Sequence, residues 1–243
     1  MRDYKIETEK RVNFIKNLLE KSRAKGIVFG NSGGKDSALV GILCKMATDN
    51  VLGVIMPCES KVNFTTDADD GKAVAEQFKI ENVIIDLTAV KAAELKALEQ
   101  LGEPSHEAKA NIAPRLRMTT LYTIGQTKGY LVAGTSNRSE YYMGYFTKWG
   151  DGACDFNPIS DLTVKEVYEF LRYLNAPASI IEKAPSAGLF EGQTDEKEMG
   201  VSYAEIDSFI LEGKCSEAAL ERINSYHSRS EHKRQPIVRY SEN

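Results

Sequence analysis

The chain lacks several features that mark membrane, secreted and nucleic-acid-binding proteins. No apolar run approaches the roughly 20 residues needed to cross a bilayer, and the N-terminal segment lacks the apolar core of a signal peptide. The four cysteines are scattered without a C-x-x-C pair, and only three histidines are present, which argues against a metal-binding motif. A net charge of −4 argues against a broad basic surface for nucleic acid. We therefore expect a cytoplasmic protein with reduced thiols that binds neither membranes nor nucleic acid.

What the chain does contain is the composition of an ordinary globular enzyme. Of its 243 residues, 42% are hydrophobic and 27% are charged, with no internal repeat or low-complexity tract. This length suits a single domain that spans residues 1–243.

Short apolar runs alternate with helical segments along the first part of the chain. One of these helices is predicted over Pro114–Lys128, before the fourth apolar run. This alternation predicts an α/β fold, a doubly wound parallel sheet with helices on both faces. In such sheets, ligands bind beyond the carboxyl ends of the strands. The apolar runs are Ile27–Phe29, Val51–Pro57, Asn82–Leu87 and Tyr130–Thr135.

The second part of the chain is less regular. Tyr141–Asp155 is rich in aromatic residues and glycine and is predicted to be irregular, and Pro185–Met199, with few apolar anchors, is predicted to be a mobile loop. Capping boxes at Thr163 and Ser202 each predict the start of a helix. The last helix is predicted to run from Ser216 towards Lys233.

The stretch Gly26–Leu43 predicts a phosphate-binding loop between a strand and a helix. Three glycines and two small polar residues fill the five positions from Gly30 to Gly34, and helical spacing begins at Lys35. Glycine lets the backbone approach a ligand closely and adopt positive φ. The unpaired amides and the positive dipole end at the start of the helix then face the anion.

This loop is neither a Walker A loop nor a dinucleotide-binding loop. A Walker A loop needs glycine where the chain has Phe29, and Ser or Thr where it has Asp36. The residues present, S-G-G-K-D-S at Ser32–Ser37, resemble the S-G-G-x-D-S loop of the ATP pyrophosphatase family. These enzymes cleave ATP to AMP and pyrophosphate while they activate a substrate oxygen. A carboxylate this close to phosphates needs a divalent cation between them, and the resemblance assigns Asp36 to Mg²⁺.

Other segments resemble ammonia-dependent NAD⁺ synthetase over nearly the whole chain. Their order and spacing agree with that family, which makes the resemblance more specific than any single motif. The segments are A-N-I-A-P-R-L-R-M (Ala110–Met118), G-T-S-N-R-S-E (Gly134–Glu140), G-Y-F-T-K-W-G-D-G-A-C-D (Gly144–Asp155), K-A-P-S-A-G-L (Lys183–Leu189), D-E-K-E-M-G (Asp195–Gly200) and E-H-K-R-Q (Glu231–Gln235).

The resemblance implies an adenine nucleotide alpha-hydrolase-like fold of about five strands and a reaction in two steps. The nicotinate carboxylate of deamido-NAD⁺ attacks the α-phosphate of ATP, which releases pyrophosphate and leaves an acyl adenylate. Ammonia then attacks the activated carbonyl and expels AMP, giving NAD⁺. The resemblance also implies Mg²⁺ as cofactor and a homodimer that binds deamido-NAD⁺ at the subunit interface.

The resemblance also implies the residues of the site. Mg²⁺ is assigned to Asp36 and Glu140, because oxygen ligands suit this ion. Asp151 could orient ammonia or accept a proton from it. The ATP contacts are assigned to Gly30, Asn31, Ser32, Gly33, Gly34, Lys35, Asp36, Ser37, Met56, Thr135, Lys165 and Ser186. The deamido-NAD⁺ contacts are assigned to Arg115, Lys148, Asp155, His232 and Lys233.

The chain departs from the family pattern at several of these positions. Ala113-Pro114 stands where Lys-Ala is usual, which removes one basic side chain. Val164 takes the place of a lysine that contacts ATP, and the neighbouring Lys165 points about 100° away from it on a helix. Ser186 replaces a threonine and keeps a hydroxyl group.

Other functions remain open from the sequence. A GMP-synthetase-like or tRNA-thiolating enzyme would share the loop, although paired cysteines for thiolation are missing. A regulator would bind ATP without turnover, although Asp36 and Glu140 together favour cleavage. We expect no fused glutaminase domain in this length, so ammonia is the predicted nitrogen donor, with a separate glutaminase as a further source. The Pro185–Met199 segment is expected to act as a lid over the adenylate.

Overall fold

A four-stranded parallel sheet lies at the centre of the protein, in the strand order β3-β2-β1-β4. The computed structural model describes residues 2–59, 66–183 and 194–240. The strands are β1 (Gly26–Gly30), β2 (Val51–Ile55), β3 (Glu81–Ile84) and β4 (Tyr130–Ala133).

Helices connect the strands and build the second part of the chain. Around the sheet lie α1 (Tyr4–Ser22), α2 (Lys35–Ala47), α3 (Thr66–Phe78), α4 (Thr88–Leu98) and α5 (His106–Lys128), with a short 3₁₀ turn at Glu99–Leu101. After β4 follow α6 (Arg138–Met143), α7 (Val164–Tyr173), α8 (Ala178–Glu182), α9 (Asp195–Met199), α10 (Tyr203–Glu212), α11 (Glu217–Arg229) and α12 (Glu231–Arg234). Within the described ranges, no helix has the length and apolar character needed to cross a membrane.

Strand β1 shows why the sheet is covered on both faces. Ile27 and Phe29 belong to the hydrophobic cluster that α1, α2 and α7 complete, whereas Val28 belongs to the cluster formed with α5. Successive side chains of a strand point to opposite faces, so an unbroken apolar run requires a core on each side. A third cluster, around Met143 and Ile206, joins α6 to α10 and α11.

The strand order places a ligand crevice between β1 and β4. The chain passes from β1 to β2 and β3 on one side, and then returns to place β4 on the other side of β1. The loops after these two strands therefore diverge, and they leave a crevice at the carboxyl edge of the sheet. The phosphate loop after Gly30 and the turn at Gly134 border that crevice.

The doubly wound parallel fold is confirmed, with fewer strands than expected. The described residues form four strands instead of about five, and a parallel bridge between Ala133 and Phe156 lies where a further strand would pair. Pairing ends there because Pro158 has no amide to donate and the chain turns at that point.

Two predictions around α5 and α6 were wrong. Helix α5 begins at His106, well before Pro114, because the side chain of Ser105 caps it by accepting a hydrogen bond from the Ala108 amide. The proline lies inside the helix. The Tyr141–Asp155 segment is irregular only after Met143, since its first residues complete α6.

Three predictions in the C-terminal part need correction. Ser202 caps α10, but the Glu205 carboxylate accepts from the Ser216 hydroxyl, so the capping box is only half formed. The last predicted helix is interrupted at Ser230, between α11 and α12. Of the predicted loop and lid over Pro185–Met199, the last residues form α9, and positions 184–193 lie outside the described residues.

Candidate active site

A large cavity lies at the carboxyl edge of the sheet, in the crevice between β1 and β4. Its volume is about 1110 Å³, and its walls come from the phosphate loop, the ends of β2 and β4, and the inner face of α5. Residues of α6, α11 and α12 close the far end. The volume slightly exceeds the usual range for one drug-sized ligand, which suits two substrates lying side by side.

The phosphate loop is shaped by its own hydrogen bonds and by one glycine. Gly33 adopts a φ of 69°, and a Cβ atom there would lie 2.1 Å from the Asp67 carbonyl oxygen, so only glycine fits. The Ser32 hydroxyl accepts from the Gly34 amide at 3.3 Å, and the Ser37 hydroxyl donates to the Gly34 carbonyl at 3.0 Å. Gly34 caps α2 without a side chain, which leaves the first amides of the helix to a ligand.

One buried lysine joins the two carboxylates assigned to magnesium. The ammonium of Lys35 lies 2.7 Å from Asp36 Oδ2 and 3.5 Å from Glu140 Oε1. Burial alone would lower the pKa of Lys35, but the charges of Asp36 and Glu140 outweigh it and raise that pKa. Burial, together with the Asp36 charge, raises the pKa of Glu140. The two carboxylates therefore place their negative charge around the Lys35 ammonium.

These residues fit a magnesium ion that also contacts phosphate. Within the described residues, no group of three or more His, Cys, Asp or Glu side chains could hold a metal on its own. Mg²⁺ in nucleotide sites is typically held by one or two carboxylates and by the substrate phosphates, which matches Asp36 and Glu140 beside the phosphate loop. Both carboxylates line the cavity, so they could reach an ion on a bound triphosphate.

The far end of the cavity carries a carboxylate and two cations. Asp151 accepts from the Thr147 amide at 2.9 Å and faces the cavity, and burial of its carboxylate raises the pKa. The Lys233 ammonium donates to the carbonyls of Gly144 and Phe146, each at 2.7 Å, and burial lowers its pKa. The third group is the guanidinium of Arg117, whose pKa burial also lowers.

Most of the residues that were predicted to bind ATP line this one cavity. So do both predicted magnesium ligands and the aspartate that was predicted to orient ammonia. Gly33 lies buried against α3, and its neighbours in the loop form the wall. The predicted residues that line the cavity are Gly30, Asn31, Ser32, Gly34, Lys35, Asp36, Ser37, Met56, Thr135, Glu140, Asp151 and Lys233.

Four of the five residues that were predicted to bind deamido-NAD⁺ lie outside this cavity. The Lys148 ammonium donates to the His232 carbonyl at 2.6 Å, and Arg115 reaches the Lys148 carbonyl at 3.5 Å. Lys148 and His232 line a second, smaller cavity with Trp149. Asp155 accepts from the Val132 amide at 2.8 Å, at the edge of the sheet. Their role in substrate binding stays a prediction.

One further predicted ATP contact, Lys165, does not line the cavity. The side chain of Lys165 is 72% exposed and lies 4.0 Å from Glu169, so this lysine does not replace the one missing at Val164. Because adjacent helical positions diverge, Lys165 faces solvent while Val164 is buried. Ser186 lies outside the described residues.

The sequence reasoning missed three cations that line the cavity, Arg117, Lys183 and Arg229. Lys183 donates to the carboxylates of Asp67 and Asp70 at 2.8 and 2.7 Å. For Arg117, a signal was present in the helical spacing. The residues of α5 that line the cavity recur at three- and four-residue intervals, at His106, Glu107, Ala110, Asn111, Pro114, Arg117, Met118 and Leu121.

A phosphate loop that faces two carboxylates at the switch point of a doubly wound sheet defines a nucleotide-binding α/β protein. The chain belongs to the NAD synthase family, because the family model described as NAD synthase matches residues 7–237. This finding confirms the family resemblance drawn from the separate segments.

Individual relatives agree with the family match. The chain is 44% identical over 235 residues to an NH(3)-dependent NAD(+) synthetase from Carboxydothermus hydrogenoformans, covering 96% of each. Among solved structures, NMN synthetase from Francisella tularensis has a TM-score of 0.94 at 38% identity, with 100% of both chains covered. An NH3-dependent NAD synthetase from Campylobacter jejuni has a TM-score of 0.81 at 31% identity, covering 99% of this chain and 100% of the other.

Proposed function

We propose that the chain, as a single domain, joins ammonia to the nicotinate carboxylate of deamido-NAD⁺ at the expense of ATP. The products are NAD⁺, AMP and pyrophosphate. The observation that carries the proposal is that a single cavity is lined both by the phosphate loop and by Asp151 and Lys233. A triphosphate on the loop and a second substrate beyond it would therefore meet within one cavity. Membership in the NAD synthase family supports the same reaction.

In the first step, a carboxylate oxygen attacks the α-phosphorus and the bond to the bridging oxygen breaks, so pyrophosphate leaves. The chain supplies position and charge for this step and needs no covalent nucleophile. The loop amides at the start of α2 would bind the pyrophosphate, with the hydroxyls of Ser32 and Ser37 beside them. When bound through Asp36 and Glu140, Mg²⁺ supplies positive charge that offsets the repulsion between substrate carboxylate and phosphates.

In the second step, ammonia attacks the acyl carbonyl, loses a proton, and AMP leaves. Asp151 lines the cavity, and the positive charges of Lys233 and Arg117 act on its carboxylate. Its pKa is raised by burial, which makes its ionised form a better proton acceptor than an ordinary aspartate. We assign it to orient ammonia and accept this proton.

The face formed by Arg115, Lys148 and His232 lies outside the main cavity. We propose that this face forms the subunit interface of a homodimer. In the arrangement implied by the family resemblance, deamido-NAD⁺ binds at the subunit interface of a homodimer. Trp149 is 54% exposed on this face, and Ile237 beside it is 62% exposed. Val238 on the same face is 94% exposed, and exposed apolar side chains that adjoin one another within a polar rim mark interaction sites.

The test is a product assay with purified protein. Incubation with ATP, Mg²⁺, ammonium and deamido-NAD⁺ should yield NAD⁺ and AMP in equal amounts. Absence of NAD⁺ would overturn the proposal, and ATP binding without AMP would instead support a regulator. Replacing ammonium by glutamine should stop the reaction unless a separate glutaminase is added.

A second candidate is amidation of the mononucleotide, nicotinate mononucleotide, to NMN. The observation that favours it is the close fit to the structure titled NMN synthetase, with a TM-score of 0.94 against 0.81 for the Campylobacter jejuni NAD synthetase. Both reactions activate the same carboxylate, so the phosphate loop does not distinguish them. The same assay with each substrate in turn measures the ratio of the two kcat/KM values. A ratio above one for the mononucleotide would favour this candidate.

A further inference from the structure

Asn137 is a fully buried polar side chain directly behind the two carboxylates of the site. Its exposure is 0%, and it does not belong to the cavity wall. It is the N-cap of α6, the helix that carries Glu140. Because it is shielded from the cavity, Asn137 can act on a substrate only through the residues that it contacts.

Asn137 contacts both carboxylates with different groups. Its side-chain Nδ2 donates to Asp36 Oδ1 at 3.1 Å, a bond between residues 101 positions apart. Its backbone amide donates to Glu140 Oε2 at 3.2 Å, and its Oδ1 accepts from the Glu140 amide at 3.0 Å. The second bond pair is an ordinary capping box, whereas the bond to Asp36 is not needed to cap a helix.

The remaining oxygens of the two carboxylates face Lys35. Asp36 Oδ2 and Glu140 Oε1 both lie beside its ammonium, on the cavity side. Each carboxylate is therefore held between Asn137 at the back and Lys35 at the front. Two like charges in a partly buried site repel each other, so their separation must be fixed by the groups around them.

We propose that Asn137 is a positioning residue, which sets the separation and orientation of Asp36 and Glu140 for the magnesium ion of bound ATP. This inference rests on the proposed function only for the identity of the ion and the nucleotide. The residue type supports it. Serine or aspartate would cap α6 equally well. Asparagine uses two separate atoms, with Oδ1 accepting from the helix while the uncharged Nδ2 donates to Asp36, whereas ionised aspartate has no donor and serine has a single, shorter hydroxyl.

The variant Asn137→Ser separates the two roles. Serine keeps a hydroxyl that can cap α6, and it removes the amide that reaches Asp36. Mg²⁺ binding would be titrated by calorimetry on protein saturated with α,β-methylene-ATP, which cannot release pyrophosphate. Outer-shell partners of metal ligands typically change metal affinity by about 10- to 100-fold, so we expect the Mg²⁺ dissociation constant to rise by at least about tenfold.

A matched control is Thr163→Ala. Thr163 caps α7 in the same kind of capping box, and neither Asp36 nor Glu140 is among its hydrogen-bond partners. This variant should lose thermal stability and keep the wild-type Mg²⁺ affinity. An unchanged Mg²⁺ affinity in Asn137→Ser, or a loss no larger than in Thr163→Ala, would overturn the inference.

Turnover gives a second measurement. If Asn137 positions the ligands of the ion, a raised Mg²⁺ concentration should restore most of the lost rate in Asn137→Ser, whereas a folding defect would not respond. If the serine variant does not fold, Asn137→Asp replaces it, since aspartate keeps the shape and the cap. We expect that variant to lose turnover because a third carboxylate repels the pair. Wild-type turnover in it would overturn the inference.

The outcome is separable from that of the proposed function. The binding titration contains only Mg²⁺ and an ATP analogue, so it does not depend on deamido-NAD⁺ or ammonia. Loss of Mg²⁺ affinity without NAD⁺ synthesis by the wild type would support the role of Asn137 and overturn the proposed function alone.

Discussion

The guanidinium of Arg117 donates from Nε to the backbone carbonyl of Met56 at 3.0 Å, which ties α5 to the end of β2. This bond fixes the cavity wall at the position where the second strand ends. Arg115, two residues earlier on the same helix, points instead towards Lys148 and lies outside the cavity. One helix thus presents one arginine to each of two surfaces.

We predict that Arg117→Met weakens ATP binding and that Arg115→Met does not. Arg117 lines the cavity beside the phosphate loop. A hydrogen bond from its guanidinium to a phosphate of ATP would contribute about 1.5–3 kcal/mol, so its loss should raise the ATP dissociation constant by about 10- to 100-fold. The two variants remove the same side chain from the same helix, which makes each the control of the other. Equilibrium binding of ATP with Mg²⁺ is the measurement.

In steady-state kinetics, Arg115→Met should raise the KM for the pyridine nucleotide with little change in the KM for ATP. This would agree with its predicted contact to deamido-NAD⁺. The reverse pattern, with ATP affinity lost in Arg115→Met and kept in Arg117→Met, would contradict the arrangement seen in the structure.

Substitution of Gly33 by alanine should disable the phosphate loop. Gly33 and Gly102 both have positive φ, of 69° and 91°, but only Gly33 has backbone atoms in the space of a Cβ. At Gly102, alanine meets no atom within 4 Å and costs only conformational strain, about 1–3 kcal/mol. At Gly33, the loop must also move away from α3, so ATP binding should fall as well.

The two glycine variants would be compared by denaturant unfolding and by ATP binding. We expect Gly102→Ala to lose some stability and to bind ATP as the wild type does. If Gly33→Ala also kept wild-type ATP affinity, the loop would not be the phosphate site.

The titration of Glu140 should make the metal-free protein less stable as pH rises. Burial and the Asp36 charge raise the pKa of Glu140, so the folded chain keeps a proton that the unfolded chain releases above its ordinary pKa of about 4.3. Because the folded state binds more protons in this range, the free energy of unfolding falls as pH rises towards the raised pKa. Glutamine does not titrate, so Glu140→Gln should not show this fall in the free energy of unfolding.

The measurement is the free energy of unfolding of wild type and Glu140→Gln, without Mg²⁺, from about pH 5 to about pH 8. The variant should gain stability relative to the wild type as pH rises across this range. Glu99→Gln, at an exposed site in the 3₁₀ turn, is the control and should show no such trend. A constant difference for Glu140→Gln would contradict the raised pKa.

The sequence patterns predicted those parts of the fold whose conformation depends on neighbouring residues in the chain. The apolar run Ile27–Phe29 and the glycines after it carry their own conformational preferences, and the structure has the expected strand, loop and helix there. The carboxyl-edge position of the site then follows from parallel topology. This is why Asp36 and Glu140, far apart in sequence, could be paired before their distances to Lys35 were known.

The residues that were missed depend on tertiary contacts. Arg117 faces the cavity because α5 packs Ala113 and Leu116 against the core of the sheet, and this packing fixes how the helix is rotated. The role of Asn137 depends on how α6 is positioned against the phosphate loop, where Asn137 meets Asp36. No periodic pattern in the sequence predicts that position. In the proposed dimer, residues that the second subunit would bring to the cavity are also invisible in one chain, so the roles of Arg115 and His232 stay predictions.

Asp36→Asn should abolish turnover while leaving the fold intact. Asparagine keeps the shape of the side chain and one oxygen for Asn137, but it removes a charge that magnesium needs. It removes both the repulsion between Asp36 and Glu140 and the ion pair between Asp36 and Lys35. These two losses act in opposite directions, so the metal-free variant should be about as stable as the wild type. The discriminating measurement is stabilisation by ligand. Saturation of the wild type with MgATP at 100 times the dissociation constant should add about 2.7 kcal/mol to the free energy of unfolding.

In Asp36→Asn, ATP should raise the free energy of unfolding by the same small amount with and without Mg²⁺, because the part of ATP binding that depends on the metal is lost. Asp69→Asn is the control, since Asp69 is an exposed aspartate of α3 whose carboxylate pairs with Lys72. It should keep both turnover and the full effect of Mg²⁺. If Asp36→Asn retained the wild-type rate, the carboxylate would have no part in holding the ion, and the resemblance of the loop to a pyrophosphatase loop would lose its chemical basis.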